Sequence, residues 1–341
     1  MRLYNPGMRK LLCLLPLLIT TLLHAQSSQS AMPNDIAILH VSTQLVMLDA
    51  LVENKKTQTL IGGLDRSNFQ LSEDGTPQTI TYFSHDELPL SIVFLFDITQ
   101  SVRPTLKSLA KGALEILTHL KQQDEVAIMV FSSHTELLQD FTTDRVRAAM
   151  VIDDASSMTN EEGAFVHESM FEAIEQTKRS TLPDSRRVLV WLTDGTANSE
   201  NKFTQKIMGR QAPELLHTPS EVVEELRHTG VVVSALIEHS DSTDAMLAKH
   251  TLGGASFGDI KHYAELTGGP VLNTSKKDVA DRLSDLIDQL RGRYTLGYKP
   301  TTKPPGTFSR ISLQLTPETF QQHPDLLQQD TTVSTRQGYY R

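Results

Sequence analysis

The chain has a single cysteine among its 341 residues. That residue, Cys13, lies in an apolar run near the start, and without a second cysteine no internal disulfide can form. Stability must therefore come from a packed core, which a chain of this length can build. Tryptophan is equally scarce: Trp191 stands alone, inside an apolar stretch, and reads as core. Basic residues are outnumbered, with 32 Lys and Arg against 41 Asp and Glu and a formal charge of −9. Nucleic acid and anionic membrane surfaces both call for a basic face, so neither is expected as the main partner. A spanning segment is also missing from the expected mature chain. The apolar run Leu11 to Leu23 is broken by Pro16 and is short for crossing a bilayer.

What that run does resemble is a secretory signal. Arg9 and Lys10 precede it, and "LHA" ending at Ala25 offers a small residue before a cut. Residues 1–25 are therefore read as a signal peptide, with an uncleaved N-terminal anchor as the alternative. Leu12 stands where a bacterial lipoprotein signal needs a small residue, which argues against lipidation of Cys13. Cleavage removes Arg2, Arg9 and Lys10 and no acid, taking the formal charge from −9 to −12. The mature protein is expected to be exported, either periplasmic or secreted.

Three zones follow. Up to residue 87 the pattern is strand-like: "AILHVSTQLVMLDALVE" alternates, and "NFQLSEDGTPQTITYF" holds a "DG" turn between extended segments. Residues 88–291 change to short apolar runs, "SIVFLF", "VAIMVF", "RVLVWLT" and "VVVSALI", separated by stretches with apolar residues three and four apart. Strands apolar on both faces belong in a parallel sheet covered by helices, so this zone predicts a doubly wound, mostly parallel α/β domain. Thr218, Pro219 and Glu221 form a capping-box pattern, and Ser275 with Asp278 resembles another. Residues 292–341 return to strand-like runs, "RYTLGYKP" and "SRISLQL" among them. Because a lone hairpin is marginal, these are expected to join the strands of residues 26–87 in one β module.

The chemistry concentrates where "SIVFLF" ends. Asp97, Thr99 and Ser101 follow it at alternate positions, and Asp194 follows "RVLVWLT". In an open parallel sheet both strand ends lie at the carboxyl rim, where ligands bind. Two carboxylates and two hydroxyls there make a set of hard oxygen donors suited to Mg²⁺, Mn²⁺ or Ca²⁺. Ile98 and Gln100 can point away. Helix capping accounts for one of the three loop residues but not for all three together with Asp194.

"DITQS" resembles the D-x-[ST]-x-S signature of von Willebrand factor type A domains, the metal-ion-dependent adhesion site. "VWLTDGT" is similar to that family's strand-and-aspartate element, "DEVAIMVFSS" (124–133) to its second strand, and "KHYAELTGG" (261–269) to its late helix and turn. The flanks, "FQLSEDGTPQTITYFSHDELPLSI", "YTLGYKP" and "STRQGYY", resemble the exported, acidobacterial-type group of such proteins. The resemblance implies a non-enzymatic domain whose divalent cation, Mg²⁺ first, binds a partner protein through an acidic side chain. It also implies a further threonine ligand in a "G-x-T-x-L-x-D-A-I" context. This chain reads "EGAFVHESMFEAI" there, which places Glu168 at the threonine position, with His167 and Thr159 as nearby substitutes. Glu168 either coordinates, adding a third negative charge beside Asp97 and Asp194, or faces solvent and leaves a degenerate site on a metal-free interaction scaffold.

Two further patterns carry less. "GASFG" (254–258) matches the G-x-S-x-G elbow of serine hydrolases around Ser256, but the preceding "DAMLAKHT" is not the buried strand that elbow requires. His167-Glu168 lacks a second histidine four residues on, where Phe171 sits, so the zinc-protease pattern fails. The polar stretch 199–217 after Asp194 reads equally as a partner-contact loop or a tolerated surface insertion.

Overall fold

The computed structural model describes residues 45–85, 88–158, 164–194, 217–238 and 257–341, with backbone only at 257–259. The expected signal peptide, Thr159, Ser256 and residues 199–216 lie outside the described residues. Thr43–Arg341 form one compact unit.

The apolar runs become strands of a six-stranded sheet in the order β10-β9-β8-β5-β6-β7. Its members are β5 (Leu90–Asp97), β6 (Glu125–Phe131), β7 (Thr135–Thr142), β8 (Arg186–Thr193), β9 (Val232–Glu238) and β10 (Val271–Thr274). All pair in parallel except β7, which closes one edge antiparallel to β6. The β5, β6 and β9 residues are buried throughout, and those of β8 all but Arg187, because helices cover both faces. On one face Ile92, Phe94 and Phe96 pack with helices α1 (Arg103–Leu117), α2 (Arg145–Ser157) and the later α6 (Val279–Arg291). On the other, Val93, Leu95 and Trp191 pack with α3 (Val166–Thr177), α4 (Pro219–Thr229) and α5 (Phe257–Thr267). The doubly wound, mostly parallel reading is thus the observed topology of the described residues, and Trp191 is core.

Three of these elements carry little sequence signal. Strand β7 is a half-exposed edge, β10 has four residues, and α2 leaves Val146 and Met150 exposed, so none shows a full burial pattern. Capping follows the sequence at α4, where Thr218 and Glu221 close a capping box around Pro219. At α6 the pattern resolves differently. Asp278 is itself the N-cap residue, and its side chain reaches back to the backbone N–H and hydroxyl of Ser275 instead of capping the helix.

The flanking segments form two four-stranded sheets around a shared core. Strand β1 (Val46–Asn54) pairs with β11 (Tyr294–Tyr298), and β2 (Phe69–Glu73) pairs with β12 (Phe308–Leu315), each antiparallel. Each sheet therefore combines strands from before and after the α/β region. Alternate residues of β12 face inward, where Ile311, Leu313 and Leu315 meet Leu48, Phe69, Leu71 and Tyr294.

A buried polar joint ties these sheets to the α/β region. Arg186, at the start of β8, pairs through Nε with Asp49 Oδ1 at 2.9 Å and donates to Leu290 O and Thr295 Oγ1. Arg293 donates to Gly268 O and Asp49 O. Burial, opposed by Asp49, pulls the Arg293 guanidinium down to about 10, which keeps it charged at neutral pH. The glycine pair in "ELTGG" has a steric cause. At Gly268, with φ of +73°, a Cβ would meet the Thr335 backbone at 2.4 Å, and at Gly269 one would meet Val233 O at 1.8 Å.

Candidate functional site

Strand β5 stays buried to its last residue, so Asp97 carries its carboxylate into the rim of the sheet with no exposed surface. The chain then turns. Ile98 still pairs through its N–H with Phe131 O and packs into the core, whereas Gln100 and Ser101 are exposed. This alternation bends the oxygen-bearing side chains toward one point. Asp97 Oδ1 accepts from the Thr99 N–H at 2.9 Å and the Thr99 hydroxyl at 2.6 Å, and the Thr99 and Ser101 hydroxyls lie 3.3 Å apart. Helix α1 begins only at Arg103, behind Val102, with no side-chain cap. Capping therefore does not explain Asp97, Thr99 or Ser101.

The second carboxylate comes from the adjacent strand. In the β5–β8 pairing Phe96 stands opposite Leu192, which brings Thr193 level with Asp97 and starts Asp194 one residue beyond. The Thr193 hydroxyl donates to Asp97 Oδ2 at 2.9 Å. Asp194 is also buried. Burial, and after it the charge of Asp194, pushes the Asp97 carboxyl up from 3.8 to about 7, opposed by the hydrogen bonds from Thr99 and Thr193. Two buried carboxylates at neighbouring strand ends, surrounded by hydroxyls, make an electrostatically costly arrangement that a bound divalent cation would relieve. The donor set fits such an ion through hydroxyl and carboxylate oxygens together. Among the described residues no three carboxylate, imidazole or thiol groups converge as a metal cluster.

Glu168 has a partner of its own. Its oxygens accept from His217, at 3.0 Å from the backbone N–H and at 3.0 and 3.1 Å from Nδ1, and the His217 ring stacks on Phe171 with centroids 3.6 Å apart. His167 is buried, its Nδ1 2.8 Å from the Tyr263 hydroxyl. The structure thus brings Asp97, Thr99 and Ser101 into one hydrogen-bonded cluster and sets Asp194 beside it, while Glu168 is held by the residue that leads into α4.

One rim residue escaped the sequence reading. Glu238, the last residue of β9, is buried, and the β8–β9 register brings it level with Asp194. In "ALIEHS" it looks like an ordinary strand end entering a polar loop. Its placement shows only in the strand register.

A mostly parallel open sheet covered by helices on both faces, with oxygen donors gathered at its carboxyl rim, defines a doubly wound α/β domain. Residues 92–196 match the family model of the von Willebrand factor type A domain, and the chain carries such a domain. No curated protein gives a significant match. Among solved structures, "von Willebrand factor type A from Catenulispora acidiphila" is 9% identical, covering 81% of this chain and 71% of its own, with a TM-score of 0.45. The vWF domain of the type V pili tip protein Mfa5 from Porphyromonas gingivalis is 12% identical, with coverage of 64% and 98% and a TM-score of 0.40. The conserved hypothetical protein BatB from Bacteroides thetaiotaomicron is 14% identical, with coverage of 59% and 99% and a TM-score of 0.41.

Proposed function

We propose that this protein is an exported, non-enzymatic binding protein that captures a partner protein through a divalent cation held at the carboxyl rim. The observation that carries the reading is the hydrogen-bonded cluster of Asp97, Thr99 and Ser101 with Asp194 at the next strand end. Asp97, Thr99, Ser101 and Asp194 would hold Mg²⁺, with Mn²⁺ or Ca²⁺ as alternatives, some through water. When bound, the cation supplies a positive centre with a position open to an oxygen from the partner, a carboxylate being the best match. The chain's residues do the rest. Thr99 and Thr193 fix the Asp97 carboxylate, and exposed Ser101 marks the side from which a ligand approaches. No helix among the described residues is long and apolar enough to cross a membrane.

Calorimetric titration of the mature chain with Mg²⁺ and Mn²⁺, beside Asp97→Ala, tests this. Binding by the wild type and none by the variant is expected; flat traces for both remove the metal. The engagement of Glu168 by His217 favours a second reading, a metal-free interaction scaffold that meets its partner through other surfaces. Partner capture from envelope extract that is indifferent to chelator would select it.

A further inference from the structure

A second group of buried oxygens adjoins the proposed cation site on the face covered by α1. Along the rim, Asp194 and Glu238 occupy level positions on neighbouring parallel strands, and Thr274 of β10 stands level with Glu238 in turn. Asp194 and Glu238 are both buried. Side-by-side carboxylates on one sheet face repel. Opposite them, Thr105 of α1 is fully buried and is the hydroxyl that most favours the ionised form of Glu238, against burial and the charge of Asp194, which both raise it. Exposed Lys276 adds a weaker attraction. Yet neither Glu238 Oε2 nor Thr105 Oγ1 makes a hydrogen bond of good geometry among the described residues, although Thr105 stands close enough to act on Glu238. Two buried oxygen atoms facing each other without a well-formed bond, one a carboxylate and one a hydroxyl, leave hydrogen-bonding capacity that a held water satisfies.

We propose that Glu238 and Thr105 are positioning residues of the rim, holding a water that belongs to the coordination shell of the cation carried by Asp97 and Asp194. The inference rests on the cation reading above. Spacing decides between direct and indirect action. Neighbouring strands lie about 4.8 Å apart, so the backbone of Glu238, two strands from β5, is roughly 10 Å from that of Asp97 across the rim. Direct ligation would gather Asp97, Asp194 and Glu238 about one ion, and no such three-carboxylate cluster forms among the described residues. A water between Glu238, Thr105 and the ion spans the gap. The cost is the repulsion between Asp194 and ionised Glu238 whenever the ion is absent.

That cost supplies the test, because Glu238→Gln should have effects of opposite sign with and without the ion. The full mature chain, Glu238→Gln and Thr105→Val are titrated calorimetrically with Mg²⁺ and Mn²⁺, and each is melted in chelator and in saturating Mg²⁺. The wild type is expected to take up one ion, and both variants to bind it about tenfold more weakly, the usual size of an outer-shell effect. In chelator, Glu238→Gln should melt above the wild type. Unchanged affinity in both variants overturns the proposal, as does a lowered melting temperature of Glu238→Gln in chelator, which would mark a purely structural role. Two ions in the wild type and one in Glu238→Gln would also overturn it, in favour of a separate ion site. A flat wild-type trace overturns the cation reading as well, and is distinguishable because it does not depend on any variant.

Discussion

The hydroxyl of Thr193 donates to Oδ2 of Asp97 at 2.9 Å, joining two strand ends 96 positions apart in the chain. With Thr99 on the other oxygen, the carboxylate is oriented before any ligand arrives. Thr193→Val keeps the side-chain shape and removes this bond. Urea denaturation should show a loss of about 1 kcal/mol, and calorimetry a cation affinity reduced severalfold.

The state of Asp97 makes stability depend on pH. Its folded value, about 7, lies above the ordinary 3.8, so the cation-free fold binds the proton more tightly than the unfolded chain. The stabilisation is fully present below 3.8 and is lost as pH rises through about 7. Chelated protein should therefore melt lower at pH 8 than at pH 5.5, and Asp97→Asn should flatten that slope. Saturating Mg²⁺ should reverse the trend, since the ion needs the ionised carboxylate. Melting curves across this range, with and without chelator, check both directions.

Glu168 should behave as a structural residue. Its bonds to His217 fasten α3 to the start of α4, and both side chains are partly exposed, so Glu168→Gln should cost only about 1 kcal/mol. Cation affinity should change less than about twofold, well below an outer-shell effect. A tenfold loss of affinity at unchanged stability would instead identify Glu168 as a ligand.

The joint at Arg186 should be the costly one. Its side chain is 1% exposed and meets Asp49, Leu290 O and Thr295, while Asp49 retains 19% exposure and its bond to Thr295. Arg186→Met should lower stability by about 3 kcal/mol in urea denaturation, the lower end for breaking a buried pair. Arg186→Lys should recover only part of it, because a point charge cannot reproduce the fork of donors.

Much of this protein was legible before any coordinates. Runs such as "SIVFLF" and "RVLVWLT" are apolar at consecutive positions, which only a strand covered on both faces tolerates, so the parallel sheet followed from local pattern. Strand β7 was not legible, because an edge strand buries too little to carry a pattern, and α2 was lost for the same reason at Val146 and Met150. At the rim, Asp97, Thr99 and Ser101 stood out because they are neighbours in the chain. Glu238 did not, since nothing local separates it from any polar residue that ends a strand.

By itself, the order of residues determined the strand-forming runs, the capped start of α4, and the oxygen donors of the 97–101 loop, all of which depend on interactions within a few positions. Tertiary structure alone decided that β1 lies beside β11, that Glu168 answers to His217, and that Asp194 has Glu238 at its side. Those pairings depend on strand register and on which buried charges meet. Register is set by the packing of whole faces against one another, and no stretch of sequence contains it.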